Sequence, residues 1–371
     1  VSEDTTTYKW GDVVELQYGK SLKKDKRQGG PTRVYGSNGP IGWTDHKPQQ
    51  TGPCVILGRK GAYRGVEYWD GPVWVIDTAY RVVPKKDTID MRWLYYAVKA
   101  YGLGEIDDGS PIPSTTRAAV YIRDVFIPPL AEQKRIAHIL GSFDDKIELN
   151  RKMNETLEAM AQALFKDWFV DFGPTRAKME GKEPYLAPEI WELFPDKLGD
   201  DGVPEGWRER RLDEFFPVIT GKKNANFADS EGVYPFFTCA IEQTLYTNSY
   251  SFDADAILLA GNGNFNVKWY RGKFEAYQRT YVLIPYKSQL LSILHALMQY
   301  FLNDLVVGHK GSVINYLTKG MITGYSITLP NDEVLCKLSP SFNKLYRLYE
   351  RSLREGKALE AMRDALLNKI F

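Results

Sequence analysis

Residues 128–169 read PPLAEQKRIAHILGSFDDKIELNRKMNETLEAMAQALFKDWF, and their spacing decides the architecture. Two prolines close a preceding strand, and Pro129 suits the first turn of a helix, where a missing N–H costs nothing. From there to Gly173-Pro174 there is no further proline, and Gly141 is the only glycine. One row of residues at seven-residue spacing is Ile136, Phe143, Asn150, Leu157 and Leu164; its partner row is Leu140, Ile147, Asn154, Ala161 and Trp168. A heptad sustained over about five repeats predicts a coiled-coil seam rather than an ordinary surface helix. At 1.5 Å per residue such a helix spans roughly 60 Å.

The same pattern returns 202 residues later. Leu157-Glu158-Ala159-Met160 with Ala163-Leu164 reappears as Leu359-Glu360-Ala361-Met362 with Ala365-Leu366. The offset gives the second helix the rows Leu338, Leu345, Ser352, Leu359, Leu366 and Phe342, Tyr349, Gly356, Arg363, Ile370. Both seams are apolar at their ends and polar or small in the middle. Antiparallel pairing brings those middles together, where a buried Asn fixes register at some cost in stability. Arg363 fits its row badly, so the expectation is that this end splays or meets another chain.

The offset also holds outside the helices. Gly19-Lys20 matches Gly221-Lys222, Gly61-Ala-Tyr63 matches Gly263-Asn-Phe265, and Thr116-Arg117 matches Thr318-Lys319. Gly109-Ser110 and Ile112 match Gly311-Ser312 and Ile314, Pro128 matches Pro330, and Tyr80–Pro84 pairs with Tyr281–Pro285 after a slip of one. Between these anchors the residues differ almost completely, as expected of two domains built alike but reading different things. The expected organisation is a domain at 1–128, a long helix at 129–172, a linker rich in proline, glycine and charge at 173–206, a second domain at 207–330 and a second long helix at 331–371. The fold class is α+β: two globular α/β domains separated by two long antiparallel coiled-coil helices, related by an internal repeat.

Composition narrows the function. The chain has 371 residues, 43% apolar and 13% aromatic, enough for two or three domains with real cores. Cys54, Cys239 and Cys336 form no CxxC pair, which favours a reducing compartment over a disulfide framework or zinc site. No run of eighteen apolar residues and no signal-peptide pattern is present, so the expected location is the cytoplasm, with no membrane contact. There is no GxxxxGK[ST] phosphate loop and no Asn/Asp-Pro-Pro-aromatic methyltransferase loop. Ala260-Gly261-Asn-Gly263 is the counterpart of Gly58-Arg-Lys-Gly61, a repeated turn rather than a cofactor loop. His46, His138, His295 and His309 lack metal-ligand spacing, and nothing assembles a nucleophile, base and orienting acid. The expectation is a non-catalytic chain without metal or cofactor.

A net charge of +1 neither requires nor excludes a nucleic-acid partner, which needs local patches. Such patches occur in the loops, where Lys and Arg can neutralise phosphates while polar side chains reach base edges. The candidates in the first repeat are Lys20, Lys23, Lys24, Arg27, Arg59, Lys60, Arg64 and Arg117. In the second they are Lys222, Lys223, Asn224, Asn262, Asn264, Lys268, Lys310, Ser312 and Lys319. The reading from residues alone is double-stranded DNA binding, with a non-catalytic protein-interaction scaffold as the alternative.

Ile127-Pro-Pro-Leu-Ala-Glu-Gln-Lys-Arg-Ile136, running through Ile147-Glu-Leu-Asn-Arg151 to Phe169-Val-Asp-Phe-Gly-Pro-Thr-Arg-Ala-Lys-Met-Glu-Gly181, resembles the specificity subunit of type I restriction–modification enzymes. Gly11-Asp-Val13 with Tyr18-Gly-Lys-Ser21, and Val203-Pro-Glu-Gly-Trp207, resemble the usual lead-ins to that family's two target-recognition domains. The resemblance covers the whole chain. It departs at the second helix, which opens Asn331-Asp-Glu-Val-Leu-Cys336 rather than Leu-Ala-Glu-Gln-Lys. It implies two recognition domains at opposite ends of the helical pair, related by a pseudo-two-fold axis. Each would read one half of an asymmetric two-part site through the major groove, with the helices as a ruler for the gap. Half-sites on one face of the duplex recur about every 34 Å, within reach of a helix of roughly 60 Å. It further implies two modification subunits, which bind S-adenosylmethionine and flip the target adenine, and restriction subunits that use ATP and Mg.

Overall fold

Pro128 and Pro129 separate a strand from a helix in the computed structural model, which describes residues 6–107, 109, 113–241, 245–307 and 316–371. The chain divides into two units, Val1–Asn150 with Arg354–Phe371, and Arg151–Leu353. Both divisions fall inside the long helices, because each half-helix packs on the domain beside it.

The first unit contains β1 (Thr6–Lys9), β2 (Val14–Tyr18), β3 (Thr32–Gly36), β4 (Gly39–Thr44), β5 (Pro53–Gly58), β6 (Val66–Asp70), β7 (Val73–Val75), β8 (Ala79–Pro84) and β9 (Asp124–Ile127). Its main sheet has the order β2-β8-β5-β6, with a smaller sheet β4-β3-β7 and a pair β1-β9. Successive side chains of a strand face opposite sides, and β5 is apolar at every interior position because both its faces are covered. Val55 and Leu57 join Trp93, Leu94 and Ala97 of the helix Met91–Ala100. Cys54 and Ile56 join Tyr35, Val73 and Val75 of the smaller sheet.

The second unit contains β10 (Arg208–Arg211), β11 (Val218–Thr220), β12 (Tyr234–Phe237), β13 (Tyr246–Thr247), β14 (Phe252–Ala260), β15 (Val267–Ala276), β16 (Thr280–Leu283) and β17 (Ser326–Leu329). Its sheet order, β11-β16-β14-β15-β12-β13, begins by repeating β2-β8-β5-β6. Ile257 and Leu259 pack with Leu291 and Leu294, whereas Ala256 and Leu258 face Phe237 and Phe274. The repeat extends to single hydrogen bonds. Register β1–β9 recurs as β10–β17, and the caps Thr116 to Ala119 N and Thr318 to Met321 N are equivalent. The Tyr80 hydroxyl donates to the Thr115 carbonyl, and that of Tyr281 to the Leu317 carbonyl.

The long helices run Leu130–Phe169 and Asp332–Ile370. In the first unit Ile136 and Leu140 share a core with Leu367, and Arg363 Nη1 lies 2.7 Å from Asp144 Oδ1. In the second unit Phe165, Trp168 and Phe169 pack with Leu338 and Phe342, and Tyr349 lies beside the Glu158 carboxylate. In both units the numbers on one helix fall as those on the other rise, so the pairing is antiparallel. Of the seam positions named from the sequence, Ile136, Leu140, Asn150, Leu157, Leu338 and Phe342 are buried. Phe143, Ile147, Asn154, Leu164, Leu345, Tyr349, Leu359 and Leu366 are half-buried.

Two expectations need correction. Arg363 does not splay the helix: its side chain is only 15% exposed and held by Asp144 and Asp364, so an ion pair takes the place of an apolar contact. Leu367 is buried beyond it while Ile370 is exposed, as expected when a straight helix drifts about 20° per heptad. Residues 173–206 are more than a linker. They form the helices Gly173–Met179 and Pro188–Trp191 and place Phe194 against Trp168, Phe169 and Trp207.

Pro340 lies within the second helix. A proline there leaves the carbonyl four residues back without its amide partner; the Ser339 hydroxyl donates to that carbonyl, Cys336 O, at 2.9 Å. The other long helix is fastened at its start by Gln133, which is 1% exposed. Its Nε2 donates to the Thr88 and Pro128 carbonyls, and its Oε1 accepts from the Asp90 amide. Among the described residues no helix is long and apolar enough to cross a membrane.

Candidate nucleic-acid interface

Equivalent loops converge at the strand ends of each unit. In the first, the Gly19 amide donates to Ala79 O, Lys20 to Val75 O, Arg59 to Thr78 O and Thr115 to Arg59 O, while Lys60 bridges Ser114. In the second, Gly221 donates to Thr280 O, Gly261 to Arg279 O and Leu317 to Gly261 O, while Asn262 bridges Tyr316. The glycine after β2 and β11 is dictated by this crossing. A Cβ on Gly19 would lie 2.0 Å from the Ile76 carbonyl oxygen, and one on Gly221 2.1 Å from that of Ala276. The backbone frame is therefore shared, and the side chains it presents are not.

In the first unit Lys20, Lys23, Lys24 and Lys60 are exposed. Arg27 is half-buried and turned back, its Nε and Nη2 donating to Leu22 O. Arg59 and Arg117 are half-buried at the loop surface. Arg64 is not a surface cation. It is 9% exposed, and its guanidinium donates to the carbonyls of Gly104, Gly61 and Ile106 and to the Thr115 hydroxyl. Its charge braces the loops from within. Arg64→Ala should destabilise the protein by about 2–4 kcal/mol, since it strands several buried acceptors. The folded fraction should keep its DNA sequence preference; denaturant unfolding and binding measured on the same samples check both parts.

In the second unit Lys222, Asn224, Asn264 and Lys319 are exposed. Lys223 is half-buried with Nζ 4.2 Å from the Phe227 ring centre. Asn262 Oδ1 accepts from Cys239 Sγ at 3.3 Å. Lys268 donates to Ala240 O, and burial pushes its ammonium pKa down, so this side chain supports the neighbouring turn. Asn266, the positional counterpart of Arg64, likewise braces its loop by donating to the carbonyls of Cys239 and Asn264. Lys310 and Ser312 lie outside the described residues.

Tyr18, which is not among the candidates named from the sequence, is 48% exposed at the end of β2 beside Arg59 and Arg117. In the sequence Tyr18 precedes the repeated Gly-Lys pair, within the stretch that resembles a lead-in to a recognition domain. Ser37 was also missed. Its hydroxyl accepts the amides of Arg59 and Lys60 and donates to Thr78 O, setting the shape of that turn. Among the described residues no group of three or more His, Cys, Asp or Glu is placed to hold a metal ion. The arrangement suits non-covalent recognition of an extended anionic, acceptor-rich surface.

Comparison with known proteins points the same way. Residues 2–159 and 204–334 match the model for the type I restriction modification DNA specificity domain. The chain is 45% identical over 129 residues to the type I restriction enzyme EcoDI specificity subunit of Escherichia coli, a match covering 35% of this chain and 29% of that protein. It is 26% identical over 318 residues to the type I restriction enzyme MjaIX specificity subunit of Methanocaldococcus jannaschii, covering 78% of this chain and 70% of that one. The fold is similar to the crystal structure of a type I restriction–modification S subunit from M. genitalium, with a TM-score of 0.58 at 17% identity over 100% of this chain and 97% of that one.

Proposed function

The chain belongs to the type I restriction–modification DNA specificity family, and on that premise we propose that it is the DNA sequence-recognition subunit of a type I restriction–modification complex. Each repeat reads one half of an asymmetric bipartite site. The paired long helices set the gap between the halves and dock two modification subunits, which supply S-adenosylmethionine chemistry. Restriction subunits, using ATP and Mg, complete the assembly in the cytoplasm. The chain itself performs no catalysis.

The observation that carries this reading is the shared loop frame with unlike contents. The same backbone hydrogen bonds hold equivalent loops in both repeats, yet Tyr18, Arg59 and Lys60 stand where the second repeat has Thr220, Gly261 and Asn262. A common frame preserves the mode of docking, while different side chains select different bases.

The test is selection from a random duplex pool by the chain bound to its modification subunits, at a stated salt concentration. The expected result is two short specified blocks around an unspecified gap. One continuous block would mean that a single repeat reads DNA, and no enrichment would favour a protein-interaction scaffold.

A further inference from the structure

The Tyr18 ring carries two cations. The Arg117 guanidinium carbon lies 4.2 Å from the ring centre and that of Arg59 lies 4.9 Å away. The three residues come from separate segments: Tyr18 ends β2, Arg59 follows β5, and Arg117 opens the helix Arg117–Tyr121. Behind them Tyr18 rests on the buried Tyr80, with ring centres 5.1 Å apart.

Backbone carbonyls fix one N–H of each guanidinium. Arg117 Nε donates to Leu16 O at 2.7 Å, and Arg59 Nη1 donates to Asp77 O at 3.1 Å. Arg117 therefore keeps its Nη1/Nη2 edge, while Arg59, which also meets Tyr80, keeps N–H groups beyond those two contacts. Among the described residues neither group meets a carboxylate. The ring quadrupole and the two carbonyls thus hold a pair of like charges together against their repulsion. An acceptor-rich ligand relieves that repulsion. At the equivalent positions the second repeat has Thr220, Gly261 and Lys319, so the cluster is particular to the first.

We propose that Arg59 and Arg117 are guanine-reading residues of the first domain and that Tyr18 is the positioning residue that orients them. This rests on the DNA-recognition reading given above. A guanidinium edge matches the O6 and N7 acceptors that guanine shows in the major groove. A guanidinium fork also matches phosphate, but the exposed Lys20 and Lys60 beside the cluster already supply charge for the backbone.

Duplex selection with the complete modification complex tests this for wild type, Arg59→Lys, Arg117→Lys, Tyr18→Ala and Tyr18→Phe. Wild type should yield two blocks, one of them containing guanine. Arg117→Lys, Arg59→Lys and Tyr18→Ala should each lower discrimination at a guanine of that block, by about 5- to 100-fold. The other block should be unchanged, which also reports a folded complex. Tyr18→Phe keeps the ring and should retain discrimination. The Lys variants should hold their affinity for unrelated duplex within about 2-fold, because the charge remains. Uniform weakening on all sequences would make the cluster a phosphate clamp and overturn the proposal. Variants that leave every guanine position unchanged, while wild type still selects two blocks, would overturn it alone. Wild type selecting no bipartite site would overturn the recognition reading and this proposal together.

Discussion

Replacing residues 1–128 by the first domain of a specificity subunit with a different target should change one half of the recognised sequence and leave the other half intact. The first domain has its own sheets and most of its unit's buried core, which Ile136, Ala137, Leu140 and Leu367 of the long helices complete. Its loop tips are braced from within by Arg64 and Ser37, so the reading surface should travel with the exchanged segment. Each mismatched base pair costs about 1–3 kcal/mol. Two altered contacts should therefore reduce binding to the original half-site by roughly 30-fold or more. The donor must still present a carbonyl and an amide to Gln133 and a hydroxyl to Asp144, as Thr88, Asp90 and Tyr96 do here. Duplex selection on the exchanged complex reads the outcome directly. If both halves change together, the assignment of one half-site to each repeat fails.

Deleting one heptad from the first helix alone should abolish specific binding. Asp144 faces Arg363 in the first unit, and Glu158 faces Tyr349 in the second. Removing residues 147–153 shortens that helix by about 10.5 Å, so the two sets of contacts cannot both be kept. Losing the packing of Trp168 and Phe169 on Phe342 would cost about 3–5 kcal/mol, a large part of a domain's stability. Deleting residues 354–360 as well removes the facing heptad. Because seven residues are nearly two whole turns, the apolar rows then realign within about 20°. The doubly shortened protein should fold and accept a shorter gap, by up to about three base pairs at 3.4 Å each. Thermal unfolding and selection on the same three proteins separate the two effects. A gap unchanged by the matched deletion would remove the ruler function from the proposal.

Local, periodic signals made the helices and the repeat legible. A heptad row states its own period, and Gly19 and Gly221 mark the same strand crossing because no larger residue fits there. Direction was harder to read. Arg64 sits in a basic turn like Arg59 and Lys60, and the sequence gives its charge without showing that its guanidinium turns inward to three carbonyls. Arg363 posed the reverse problem: a misfit in its own row, resolved by Asp144 more than two hundred positions away. In 173–206 the abundance of proline and glycine hid Phe194, 2% exposed in the second unit's core. Tyr18 has Thr220 at the matching position of the second repeat, so the repeated pattern does not mark it.

The composition of the first unit has a consequence for the order of synthesis. Residues 354–371 belong to it, although all of 151–353 lie between them and the rest. At translation rates of about 5–20 residues per second, the face bearing Ile136 and Leu140 waits roughly 10–50 s for Leu367 and Phe371 to be made. The second unit is continuous in the chain and can close without that delay. The domain made first is thus the last to finish folding, and until then its apolar helix face is open to chaperones and to other nascent chains.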